Sequence, residues 1–168
     1  MGQYYNVVNL TKKEAYCPNM LKLMEHSWLA NPFMNKILTL LSPGNAWYKT
    51  SIVWAGDYYS EEGEPNYYAM YLADDLDIPI TIKDPSKIIL VNHTTKEYVN
   101  YSNLPEDDGW IINPLSLLTA LGNGRGGGDY YDGYPGYADV GLWATHILSV
   151  EKEIPKDFEE FEVTFIKK

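Results

Sequence analysis

The chain has 168 residues, of which 45% are hydrophobic and 14% aromatic, with 13 Lys and Arg against 23 Asp and Glu for a formal net charge of −10. That length and apolar content predict one domain with a real core, and the acidic balance argues against direct nucleic-acid binding and a basic membrane-surface role. Cys17 is the single cysteine, so neither an intrachain disulfide nor a cysteine-built zinc site is expected; no apolar run nears the roughly 18 residues of a membrane span, and the N-terminus carries no secretory pattern, so a cytoplasmic protein is expected.

Residues 4–10 are rich in Tyr and Val and bounded by the polar Thr11-Lys12-Lys13-Glu14, which predicts a buried strand. From Pro18 the apolar residues Leu21, Met24, Trp28, Phe33, Ile37, Leu40 and Leu41 recur three or four apart. Asn31-Pro32 interrupts them and Ser42-Pro43-Gly44 ends them, predicting two consecutive helices. Residues 51–58 are β-branched and aromatic and predict a strand running into a polar loop at 60–66. Residues 67–72 suit either a short helix opened by Pro65 or a tyrosine-rich strand, and the helix is preferred.

Residues 78–82 and 87–92 predict strands, and residues 88–101 a hairpin whose connection is His93-Thr94-Thr95-Lys96, followed by an acidic turn at 105–109. Asn113-Pro114 is a helix start, with Leu115, Leu117, Leu118 and Leu121 as its apolar face and Gly122 as its stop. Residues 142–150 and 160–166 predict strands, the second with Phe161, Val163 and Phe165 on one face. The sum is an α+β protein of a single domain, residues 1–168, with a largely antiparallel sheet and about three helices.

Eight of the 13 glycines fall between Gly122 and Gly141, a density that suits close backbone approach and positive φ. Within that stretch stands Arg125, the only arginine, whose planar fork binds carboxylate or phosphate in bidentate fashion. The spacing matches neither the phosphate-binding nor the dinucleotide glycine loop. An anion would therefore be held by Arg125 and a nest of N–H groups from Gly124, Gly126 and Gly127. The alternative is that Arg125 pairs with Asp129 or Asp57 and pins the loop.

Asp129, Tyr130 and Tyr131 extend this candidate site with a carboxylate and flat aromatic faces suited to a planar ligand or a protein partner. Asp57, flanked by Trp54 and Tyr58, offers a second carboxylate, either for acid–base chemistry or a hard cation or as a solvated or capping residue. His26, His93 and His146 show no metal-ligand spacing, and no cofactor or metal is expected. A structural role is favoured for His146 and a packed thiol for Cys17.

Met1-Gly2-Gln3-Tyr4 with Val8-Asn9-Leu10, the segment Lys22-Leu23-Met24-Glu25, Val53-Trp54-Ala55-Gly56-Asp57-Tyr58, and residues 122–130 (GNGRGGGDY) together resemble a family of small bacterial and phage-encoded proteins without an established activity. The resemblance implies a shared fold and a shared site, with the chemistry open. The leading expectation is a non-enzymatic binding protein for a small anionic ligand such as a nucleotide, of the phage type that sequesters a host nucleotide signal. The alternatives are an acidic module that blocks a basic surface on a host protein, and a nucleotide hydrolase or transferase using Asp57 and Asp129.

Overall fold

A computed structural model describes residues 1–58 and 63–166. Among the described residues, nine strands and three α-helices follow one another: β1 (Tyr5–Asn9), β2 (Glu14–Tyr16), α1 (Leu23–His26), α2 (Pro32–Leu40), β3 (Thr50–Gly56), β4 (Ala73–Asp74), β5 (Ile89–Asn92), β6 (Glu97–Asn100), α3 (Pro114–Thr119), β7 (Ala120–Leu121), β8 (Ile147–Glu151) and β9 (Glu159–Glu160). The sheet order is β4-β2-β1-β3-β8-β5-β6-β9, with β7 beside β3. The long pairings, β1 with β2 and β3 and β5 with β6 and β8, are antiparallel, and parallel pairing is confined to the two-residue strands. The fold is α+β, as the element pattern predicts.

Strand alternation divides the core into two faces. Tyr5, Val7, Ile52 and Trp54 turn to one side and pack with Leu23, Ile37, Leu115 and Leu118 of the helices, while Val8, Val53 and Ala55 turn to the other, against Tyr67, Tyr68 and Tyr71. The two predicted helices after Pro18 form as α1 and α2. Asn31 starts the second, its Oδ1 accepting from Phe33 N at 2.9 Å and Met34 N at 3.2 Å. Asn113 does the same for α3 through Leu115 N at 3.1 Å. The predicted hairpin pairs Asn92 with Glu97 across the four-residue connection.

Several expectations are corrected. Residues 67–72 form a turn rather than a helix, because the tyrosines cover the second sheet face and the chain must pass straight into β4. Residues 78–82 have no strand partner; Thr81 N and Ile82 N donate instead to Thr39 Oγ1. α3 stops at Thr119 rather than Gly122, since Ala120 turns extended to pair with Trp54. Residues 142–146 precede β8 without strand structure, and of the strand predicted at 160–166 only Glu160 is paired, in β9. Its alternation persists without a ladder, with Val163 and Phe165 buried. β2 falls where the reading placed a polar boundary. Of the predicted loop at 60–66, residues 60–62 lie outside the described residues.

Candidate functional site

Three of the four segments quoted for the resemblance, near residues 3, 57 and 125, converge on Gln3, a fully buried side chain that the sequence reading passed over. β1 and β3 run antiparallel with Tyr5 opposite Gly56, which brings Gln3 level with Tyr58. The Gln3 amide donates to Gly122 O at 2.7 Å and Asp129 Oδ2 at 2.6 Å, and its Oε1 accepts from Tyr58 N at 3.1 Å. The backbone adds a second seam, with Gln3 N donating to Gly127 O at 3.0 Å and Gly127 N to Met1 O at 2.8 Å. The glycine-rich loop therefore serves as the docking partner of the N-terminal segment.

Asp129 organises that loop from within. Its carboxylate, 1% exposed, accepts from Gln3 Nε2, Tyr5 Oη at 2.9 Å, Gly124 N at 2.7 Å and Gly126 N at 3.2 Å. Gly124 sits at φ +93°, a conformation that aims its N–H inward. Of the three N–H groups expected to hold an external anion, those of Gly124 and Gly126 are thus taken by the chain's own carboxylate and that of Gly127 by Met1 O. Burial pushes the Asp129 carboxyl up from its ordinary value, against the pull of its four donors. Burial first, and then the Asp129 charge, hold the Tyr5 phenol far above its usual range.

Arg125 pairs with neither Asp129 nor Asp57, the two partners weighed for it. Its Nη1 donates to Tyr58 O at 2.8 Å and to Glu64 Oε2 at 3.1 Å, so it fastens the loop to the segment after β3. Asp57 caps the end of that strand: its Oδ1 accepts from Tyr4 N at 3.1 Å, and its own N donates to Tyr4 O at 2.9 Å. Trp54 is a core residue, its indole N–H donating to His26 Nε2 at 2.9 Å. Tyr130 is also fully buried, with its hydroxyl on the carbonyls of Pro135 and Ile166. Of the tyrosines and tryptophan expected to meet a ligand, Tyr131 is half-exposed and Tyr58 partly so.

His26 is buried and stacked on Trp54. Because Nε2 accepts from the indole, the ring is neutral with its proton on Nδ1, and that atom has no hydrogen-bond partner among the described residues. Burial lowers its pKa to about 4. His146 is structural, its Nδ1 2.9 Å from Asn92 Nδ2. Among the described residues, no group of three or more His, Cys, Asp or Glu could hold a metal ion, and no helix is long and apolar enough to cross a membrane.

A large concavity lies elsewhere, across the β5–β8 half of the sheet. It is an open groove of about 1110 Å³ whose lining includes Tyr48, Lys49, His93, Glu151, Lys152 and Phe158. A chain of hydrogen bonds runs along its floor. Tyr48 Oη and Ser149 Oγ both donate to Glu151 Oε2, at 2.8 and 2.7 Å, and His93 Nε2 lies 2.7 Å from Ser149 Oγ. Since the Ser149 proton points to Glu151, His93 must donate through Nε2. Its Nδ1 then keeps a lone pair, with no partner among the described residues. Burial, followed by the charge of Lys49, lowers the His93 pKa.

The sequence reading missed this groove because its walls come from residues 42–49, 81–93 and 150–158, and no short motif joins them. Comparison of the chain with protein-family models, with curated proteins and with solved structures finds no match. Fold and site define a single-domain α+β protein with an internally satisfied glycine loop and an open groove lined by Lys49, Lys152, Glu151 and Glu153.

Proposed function

We propose that this protein binds a small anionic, ring-bearing ligand of nucleotide size without turning it over, and that the ligand sits in the groove rather than at the glycine-rich loop. The observation that carries the reading is the pairing of two cations, Lys49 and Lys152, with two rings, Tyr48 and Phe158, along one concavity. Its volume of about 1110 Å³ lies just above the roughly 300–1,000 Å³ of enclosed ligand pockets, so as an open groove it has room for a cofactor-sized molecule. An anionic group would meet the lysines, a planar ring would lie on the aromatic wall, and His93 Nδ1 would accept from a ligand N–H or O–H.

Binding without turnover is supported by the state of Ser149, Asp57 and Asp129. Ser149 is fully buried with its proton held by Glu151, and Asp57 and Asp129 are both committed to backbone N–H groups. The resemblance to phage-encoded proteins makes sequestration of a host nucleotide signal the physiological form of this reading. The test is a nucleotide panel read by thermal shift on the parent, Lys49→Ala, Lys152→Ala and Arg125→Lys. A ligand at 100 times its Kd adds about 2.7 kcal/mol, and that gain should persist in Arg125→Lys and shrink in the lysine variants. A flat panel overturns the reading, and loss confined to Arg125→Lys returns the site to the loop.

A further inference from the structure

We propose that Ser149, Glu151 and Tyr48 lock His93 as a hydrogen-bond acceptor in the groove, so that the groove selects a ligand whose ring carries a donor, an amino-substituted purine or pyrimidine. This deepens, and rests on, the reading of the groove as the site of an anionic, ring-bearing ligand. His93 opens the β5–β6 connection, and its backbone is held there. Its N–H donates to Ile147 O at 2.8 Å, while the Oδ1 of the preceding Asn92 accepts from Thr94 N at 2.9 Å and Thr95 N at 3.0 Å. The ring packs nearly perpendicular to Phe158, with centroids 5.9 Å apart at 76°. A side chain fixed at its backbone, by a ring neighbour and at one nitrogen presents the other nitrogen in a defined direction.

Protons run toward Glu151 from both sides. A carboxylate accepts and does not donate, so Tyr48 Oη and Ser149 Oγ both give their protons to Glu151 Oε2, and the serine oxygen is left to accept from His93 Nε2 at 2.7 Å. Moving the imidazole proton to Nδ1 would set the Nε2 lone pair against the serine oxygen, or turn the serine proton away from the carboxylate. Ser149 is fully buried, so the bond that would be lost lies out of reach of bulk water. The partner of one ring nitrogen thus decides the role of the other.

The consequence is a polarity imposed on the ligand. A carbonyl or phosphate oxygen at Nδ1 sets lone pair against lone pair, whereas a ring amino group donates to it. A ring without a donor leaves that acceptor unpaired, at about tenfold in affinity. Protonation removes the preference, because the imidazolium carries an N–H on both nitrogens. Burial, then Lys49, lowers the His93 pKa and Glu151 raises it, so the change falls below the ordinary 6.5; Tyr48, Lys152 and Glu153 are the other titratable groups lining the groove.

Long-range proton–nitrogen NMR correlation on the ligand-free protein reads which nitrogen of His93 carries the proton. It should be Nε2 in the parent and shared between the two in Ser149→Ala. Calorimetry then compares adenosine monophosphate with purine riboside monophosphate, and cytidine monophosphate with its deamino analogue, pairs that differ only in the ring amino group. At neutral pH at least one amino nucleotide should bind about tenfold tighter than its counterpart. That ratio should fall as pH drops below 6.5, while the phosphate titration, common to both members, cancels. Ser149→Ala should shrink the ratio severalfold, and His93→Phe should bring it to one with the donor-free nucleotide still bound.

A proton on Nδ1 in the parent, or a ratio that survives His93→Phe, overturns the proposal, as does Ser149→Ala with the parent's tautomer and ratio. Failure of all these nucleotides to bind overturns the groove reading and this inference with it. Binding of both members of each pair at equal affinity overturns this inference alone.

Discussion

Gln3 and Asp129, 126 residues apart in the chain, meet through a buried hydrogen bond of 2.6 Å from the Gln3 amide to the Asp129 carboxylate. Around that contact the first residues of the chain, the end of β3 and the glycine-rich loop are joined into one unit. Removing either partner leaves buried polar atoms unsatisfied, at about 1–3 kcal/mol for each group. Gln3→Ala and Asp129→Asn should therefore each lower the unfolding free energy by about 2 kcal/mol or more. The double variant should fall short of the sum, since both remove the same bond. Denaturant unfolding of the four proteins gives the coupling directly, and strict additivity would separate the two residues energetically.

Gly126 is tied to this contact by space rather than by φ. A Cβ there would stand 2.6 Å from Gln3 Cβ and 2.9 Å from Gln3 N, whereas at Gly44, with φ +83°, it would meet nothing within 4 Å. Gly126→Ala should cost about 1–3 kcal/mol by forcing the N-terminal segment away, and Gly44→Ala about 1 kcal/mol by backbone strain alone. Amide exchange distinguishes the mechanisms: the N–H of Gln3 should lose protection only in Gly126→Ala.

Arg125→Lys keeps the charge but loses the guanidinium Nη1 that donates to both Tyr58 O and Glu64. The arginine side chain is 35% exposed, so the loss should be small, within about 1 kcal/mol, and visible as a slightly lower melting midpoint. Affinity for a ligand held in the groove should be unchanged. Calorimetry on the folded variant checks the second statement independently of the first.

His26 makes stability depend on pH in a defined window. Its pKa falls from 6.5 to about 4 on folding, so between those values the unfolded chain binds the extra proton. Stability from this group is complete above about pH 6.5 and is lost as pH falls toward 4, by on the order of 3 kcal/mol. Lowered His93 acts in the same sense and raised Asp129 in the opposite one, so the measurement is a difference between profiles. His26→Gln, which can still accept from Trp54, should remove the slope between pH 6.5 and 4 that belongs to His26. Parallel profiles for parent and variant would show that the histidine does not titrate there.

Local signals made much of this protein legible from its sequence. The tyrosine- and valine-rich run of β1, the Asn-Pro starts of α2 and α3 and the four-residue hairpin connection are settled within a few neighbouring residues, so periodicity and capping chemistry were enough to place them. The α+β class followed from their order. What failed had a partner far along the chain: residues 78–82 and 161–166 have the composition of strands but no ladder, and 67–72 turn because a sheet face needs covering. The site divided in the same way. Arg125 and its glycines stood out by composition, yet whether their N–H groups face a ligand or Asp129 depends on where Gln3 and Tyr5 arrive from β1. The groove of Tyr48, Lys49, His93 and Glu151 exists only once β5 and β8 are paired, because a concavity is a property of packed elements and leaves no trace in any one of them.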